Sequence, residues 1–174
     1  MKKYLYFIIL VLSLNSFGQI KETNWKTINE STYSIQYPDN WELNTEKSMG
    51  TSFIIFSEQT SSEDKFRENI NLIIQNLEGY NLNLDDYVAI SEEQISKMVT
   101  NGIIFESKRL NTNNTEFQKI IFTGKQGLFQ LKFVQYYFIK DEKAYVLTFT
   151  CEEIQYEKYI FITDQILDSF LLNK

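Results

Sequence analysis

The chain contains no histidine. Ser-His-Asp and Cys-His catalysis in their common forms are therefore excluded. Cysteine occurs once, at Cys151, so there is no internal disulfide and no thiolate set. With histidine also absent, most zinc and iron sites fall away. The six glycines are scattered, mostly at expected turns, and form no glycine-rich phosphate loop, which argues against cofactor enzymes built on such loops. Proline also occurs once, at Pro38. No segment rich in proline, glycine or serine divides the chain, and its length suits one domain, expected over residues 20–174. A chain of that size buries roughly 70% of its unfolded surface and needs no disulfide or metal to hold a core.

Basic residues are outnumbered by acidic ones, 17 to 23, and form no stripe. Phosphate binding draws on clustered Lys and Arg, so nucleic acid and an anionic membrane surface are poor candidate partners. The simple reading of the net charge of −6 is solubility. Long apolar runs are also scarce. The one that stands out is Tyr4–Leu14, preceded by Lys2 and Lys3. Ser16 and Gly18 are small residues at the −3 and −1 positions of a cut before Gln19. The pattern predicts a signal peptide over residues 1–19. The run is shorter than the ~20 apolar residues of a membrane span. No cysteine follows the cut region, so a lipoprotein is not expected. The expected location is secreted or periplasmic, with loss of Lys2 and Lys3 making the remainder more acidic. Cys151 lies in an alternating apolar run, which suits a buried, inert thiol.

Periodicity supplies the elements. Tyr33, Ile35 and Tyr37 alternate with polar residues as a short half-buried strand, which Pro38 ends because it cannot donate to a ladder. Asp39 and Asn40 are turn residues that let Trp41 fold back onto the sheet, where it is expected to be largely buried. Residues 52–57 and 69–77 read as strands, separated by an exposed polar loop over 58–68. A helix follows, capped by Asn83, with Asp85 and Asp86 in its first turn. Leu84, Tyr87, Val88, Ile95, Met98 and Val99 share one face, and Asn101-Gly102 ends the helix. Strands at 103–110, 116–124, 128–140 and 143–151 form a meander, turning at Asn111–Asn114, at Gly124–Gly127 and at Asp141-Glu142. A second helix is expected over about 152–170, with Glu152 and Glu153 at its start. Tyr156, Tyr159, Ile160, Thr163, Ile166, Leu167 and Phe170 share its apolar face. The fold class is α+β: a mainly antiparallel sheet of about six to seven strands flanked by two main helices, an α/β/α sandwich.

Little chemistry is left. The adjacent acidic pairs are Glu63/Asp64, Asp85/Asp86, Glu92/Glu93 and Glu152/Glu153. Neighbouring helix residues point about 100° apart, so no pair by itself forms the facing carboxylates of a glycosidase. A weak Ca²⁺ site in loop 58–68 would have oxygen ligands available, but the spaced D-x-D-x-D-G pattern is missing. Aromatic residues reach 16%, and Phe129, Phe133 and Tyr137 share one face of the long strand while Tyr136 and Phe138 share the other. Two-sided burial beneath two helices is the simpler account; a platform for a sugar or lipid is the alternative. Asn29-Glu30-Ser31 and Asn113-Asn114-Thr115 match the glycosylation sequon and read as chance in an asparagine-rich chain. No catalytic, cofactor-binding or metal residue is assigned, and no cofactor is expected.

Three stretches carry a family resemblance: "YSIQYPDNW" at 33–41, "KAYVLTFTCE" at 143–152 and "ILDSF" at 166–170. A strand running into Y-P-x-x-W, a late strand reading Y-x-x-T-F and a helix closing in S-F resemble the PsbP-like or Mog1-type fold from about residue 25 to 172. The group includes an extrinsic photosystem II subunit, a nuclear-transport GTPase regulator and small bacterial envelope proteins, which act by binding rather than catalysis. The resemblance to its bacterial exported members implies a non-enzymatic binding or accessory module of the bacterial cell envelope with a protein partner. The alternative is a carrier of a small apolar ligand, lipid or glycan, held between sheet and helix. A carboxylate-dependent hydrolase is a third reading.

Overall fold

The computed structural model describes residues 24–112 and 115–173. The expected signal peptide and the centre of the Asn111–Asn114 turn lie outside those residues. Two sheets form. In the smaller, β2 (Tyr33–Pro38) lies between β1 (Trp25–Asn29) and β10 (Leu171–Leu172), antiparallel to both. Tyr33, Ile35 and Tyr37 point inward as their alternation requires, and Ile28 of β1 sits opposite Ile35. Pro38 is the last residue of β2, and Trp41 N–H donates back to Pro38 O at 3.0 Å. The YPDNW stretch thus forms a tight return that buries Trp41.

The larger sheet has seven strands: β3 (Glu42–Asn44), β4 (Thr51–Phe56), β5 (Asn69–Asn76), β6 (Ile103–Thr112), β7 (Thr115–Gln126), β8 (Phe129–Lys140) and β9 (Lys143–Glu152). Their order is β3-β4-β5-β9-β8-β7-β6, antiparallel throughout. β8 and β9 join through Asp141 and Glu142, with φ of 49° and 54°. Two consecutive residues in the left-handed region suit the twist of a two-residue hairpin.

Helix α1 (Leu84–Met98) packs on one face of this sheet, against β6, β7 and β8. Its start is fixed by reciprocal bonds: Asn83 Oδ1 accepts from Asp86 N–H at 2.9 Å, and Asp86 Oδ2 accepts from Asn83 N–H at 3.2 Å. Val88 and Ile95 bury themselves on Ile120, Phe122, Tyr137 and Val146. Helix α2 (Tyr156–Asp168) and the small sheet cover the other face. There Tyr159, Ile166, Leu167 and Phe170 join Phe53, Leu72, Val134, Phe138, Leu147 and Phe149 in the main core. Each fully buried aliphatic or phenyl side chain of this kind is worth about 1.5–3 kcal/mol. Ser169 pins the end of α2 to β2, its Oγ accepting from Gln36 N–H at 2.9 Å.

Four expectations need correction. β2 belongs to the small sheet, not the large one. The second helix begins at Tyr156, because the β8–β9 ladder runs on to the Leu131–Glu152 pair; Glu152 ends a strand and Glu153 lies in a short 3-10 turn. Gly124 is not in a hairpin loop. It pairs with Leu131 inside β7, and the turn is Gly127-Leu128. Met98 leaves the apolar face of α1 and is 78% exposed.

Candidate functional site

The acidic pairs are dispersed. Asp85 forms an ion pair with Arg109, and Asp86 is used in the α1 cap. Glu93 pairs with Lys97 one helical turn on. In loop 58–68 Asp64 Oδ2 accepts from Thr60 N–H at 3.2 Å and from Thr60 Oγ1 at 2.9 Å. These two bonds hold the Asp64 carboxyl below the usual carboxylate range. Its role there is to close the loop. Among the described residues no group of three or more His, Cys, Asp or Glu could hold a metal ion, so the Ca²⁺ reading of this loop finds no support.

Two potentially reactive groups are sealed in the core. Glu68, expected at the end of an exposed loop, is only 2% exposed. Ser57 Oγ donates to Glu68 Oε2 at 3.3 Å. Burial pushes the Glu68 carboxyl above the usual range, against the hydrogen bonds of its own backbone, Tyr159 and Ser57. Cys151 is fully buried, and burial, followed by the nearby Glu68 charge, pushes its thiol up to about 12. Such a thiol supplies almost no thiolate near neutrality. Neither Glu68 nor Cys151 lines any of the five main openings among the described residues.

The aromatic residues of β8 divide as their alternation requires except Phe129, which packs on Phe66 in loop 58–68 with ring centroids 5.3 Å apart. Tyr136 and Phe138 pack under α2 and the small sheet, with Phe117 stacked 5.0 Å from Phe138 and Phe170 tilted at 5.2 Å. Phe133 and Tyr137 lie on the α1 face, with Phe122 and Phe133 stacked at 4.6 Å. Most of the α2 interface is filled with side chains, with a gap of about 360 Å³ between β10 and the near ends of β6 and β7, lined by Phe138, Phe170, Leu171 and Leu172. The α1 interface is more open, because α1 sits over β6, β7 and β8 and leaves β5 on the same face partly open.

A trough runs there between α1 and β5. It consists of an opening of about 460 Å³ and another of about 350 Å³, which share Gln75, Tyr87, Ser91 and Gln94. Tyr80 and Ile90 rim the first, while Met98 and Ile73 line the second. Along the floor, Tyr87 OH donates to Gln75 Oε1 and Tyr137 OH donates to Gln135 Oε1. Gln135 Nε2 then donates to Thr148 Oγ1 at 3.1 Å. Burial raises both phenols, so each stays a neutral donor in ordinary buffers. No residue lining either opening is charged, in a chain that is 23% charged. A third opening, of about 440 Å³ between the β1–β2 turn and β4, is lined by hydroxyls together with Glu30 and Lys47.

The sequence placed Tyr87, Ile95, Met98, Val99 and Tyr137 on apolar faces but marked none of them, nor Ile90 or the glutamines, as a site. Their signal is weak: Ile90 is an apolar residue off the buried stripe of α1, and Met98 is on the stripe by spacing but exposed. The glutamines gave no signal, since their placement depends on which side of the sheet α1 leaves uncovered.

No family model matches the chain, and no curated protein sequence matches it. Solved structures do match. The cyanobacterial PsbP protein CyanoP from Synechocystis sp. PCC 6803 is 13% identical with a TM-score of 0.67, over 92% of this chain and 99% of that one. LpqN, involved in cell envelope biogenesis of Mycobacterium tuberculosis, is 8% identical with a TM-score of 0.67, over 88% and 92%. The Pseudomonas aeruginosa protein PA94, of unknown function and described as a putative regulator, is 12% identical with a TM-score of 0.61, over 86% and 97%. At these identities the likeness is one of fold, and the chain has the PsbP-like fold that its Y-P-x-x-W and closing S-F motifs implied.

Proposed function

We propose that the protein is an exported, non-catalytic module of the bacterial cell envelope that works by binding a protein partner. The observation that carries this reading is the open, uncharged trough beside α1, set against a core in which Glu68 and Cys151 are closed off from solvent. General acid–base or nucleophilic catalysis needs such groups to reach a substrate in a cleft. The likeness to LpqN, a protein of cell envelope biogenesis, supports the location, as does the signal-peptide pattern of residues 1–19. A carrier of a lipid would draw support from an apolar cavity between sheet and helix. The trough beside α1 is instead open to solvent and carries Gln75, Ser91, Gln94 and Gln135 among its apolar side chains, and the α2 interface holds Tyr159, Ile166, Leu167 and Phe170. Chemical crosslinking in intact cells, followed by capture of the tagged chain, tests the reading. A discrete protein adduct of fixed stoichiometry is expected. Recovery of the chain alone with one bound lipid would overturn it.

A further inference from the structure

We propose that the trough between α1 and β5 takes an uncharged, extended peptide segment of the partner, laid along α1. The proposal rests on the reading of the protein as a partner-binding module and specifies its site and the chemistry of its ligand.

Charge is the first argument. Burying an unpaired charge is costly. The lining offers no counter-ion: it consists of glutamines, Asn76, Ser91, tyrosines, Phe122 and aliphatic side chains. A neutral occupant is the one that fits. Acidic residues on the remainder of α1, among them Asp85, Asp86, Glu92 and Glu93, disfavour an anionic ligand further.

Spacing is the second argument. Ile90, Gln94 and Met98 follow one another at i, i+4, i+8 along the trough edge of α1. A helix rises about 6 Å over four residues. An extended peptide places side chains on one face about every 6.6 Å. The ridge therefore keeps near-register with an extended segment over roughly 12 Å, or about four residues.

Chemistry is the third argument. A carboxamide carries a donor and an acceptor, as a peptide unit does. Gln94 is exposed and has no side-chain partner among the described residues, and Gln75 accepts from Tyr87 while its Nε2 has no partner among them. These amides can pair with the N–H and C=O groups of an extended backbone. Tyr80, Ile90 and Met98 are exposed by 71%, 41% and 78%, and they give alternate side chains of the peptide apolar surface to cover. Methionine in particular adapts its shape to what it meets.

The test uses the full chain in its own cells. One version carries the photoprobe p-benzoylphenylalanine at Tyr80, which rims the trough and whose ring the probe retains, so that Gln94 stays in place. A reference version carries it at Phe161, an exposed residue of α2 on the opposite side of the sheet. The Tyr80 probe is expected to give a protein adduct whose crosslinked stretch, read by mass spectrometry, holds a run of about four residues without Asp, Glu, Lys or Arg. A synthetic copy of that stretch should bind the purified protein. Gln94→Ala and Met98→Ser should each weaken binding about tenfold, and added salt should leave it unchanged. Both positions are exposed, so both variants should keep the wild-type melting temperature, which separates loss of binding from loss of fold. An adduct at Phe161 with none at Tyr80 would overturn the trough and leave the binding-module reading standing. No protein adduct at either position would overturn both. A sugar or lipid adduct at Tyr80, or a highly charged crosslinked stretch, would overturn the peptide.

Discussion

Trp41 and Tyr159 meet edge to face, with ring centroids 6.3 Å apart and ring planes at 78°. This contact ties the return after β2 to α2, and so joins the small sheet to the helix that shares its side of the main sheet. Trp41 is 6% exposed. The YPDNW stretch is therefore framework, and its tryptophan works by packing. Replacing it, Trp41→Ala, should cost about 3–5 kcal/mol. Urea unfolding of wild type and variant measures the loss, and equal stability would remove Trp41 from the core.

Glu68 should make stability depend on pH in the sense opposite to a paired carboxylate. Burial raises its folded pKa above the unfolded value of about 4.3. The stability it contributes is complete below about pH 4.3 and is lost as pH rises through the folded value. Glu68→Gln stays neutral at every pH and should be more stable than wild type at neutral pH, with the gap closing as pH falls toward 4. Thermal melts across that range check it. A gap that stays constant with pH would mean that Glu68 does not titrate in its buried position.

Cys151 should resist thiol reagents in the native protein. It is fully buried and its pKa is pushed up to about 12. Modification by a chromogenic disulfide at neutral pH should proceed only as fast as the chain opens, and at full speed in denaturant. Fast labelling of the folded protein would contradict this.

Gly124 should tolerate no side chain. A Cβ there would lie 2.3 Å from Val99 Cγ1, at the end of α1. Gly124→Ala should cost about 1–3 kcal/mol by forcing that end of the helix off β7. Val99→Ala in the same chain should recover part of the loss, because it removes the clashing methyl. Denaturant midpoints of the two single variants and the double variant decide it.

Gly124 also shows how far the sequence could be read. Four residues, Gly124 to Gly127, looked like a hairpin loop because glycine marks turns. Only the second glycine does so here, with a φ of 59°. The first is needed for a close approach between helix and strand that local pattern does not reveal. The meander β6–β9, the cap at Asn83 and both apolar stripes were legible, since each depends on periodicity or on neighbours within a few residues. β1 and β10 were not. β1 buries only Ile28 and reads as polar, and β10 is two residues long. That β2 leaves the main sheet was equally hidden, because its partners come from opposite ends of the described chain. The burial of Glu68 follows from its position beside Ser57 and Tyr159, which no local pattern encodes. The trough depends on where α1 stops along the sheet, a matter of packing between elements distant in sequence.

Native mass spectrometry of the protein drawn gently from its own cells tests the central claim most directly. The account predicts a complex of this chain with a second protein in fixed ratio, reduced when Gln94 and Met98 are replaced together. A chain that appears only by itself, or only with one small molecule bound, would contradict it.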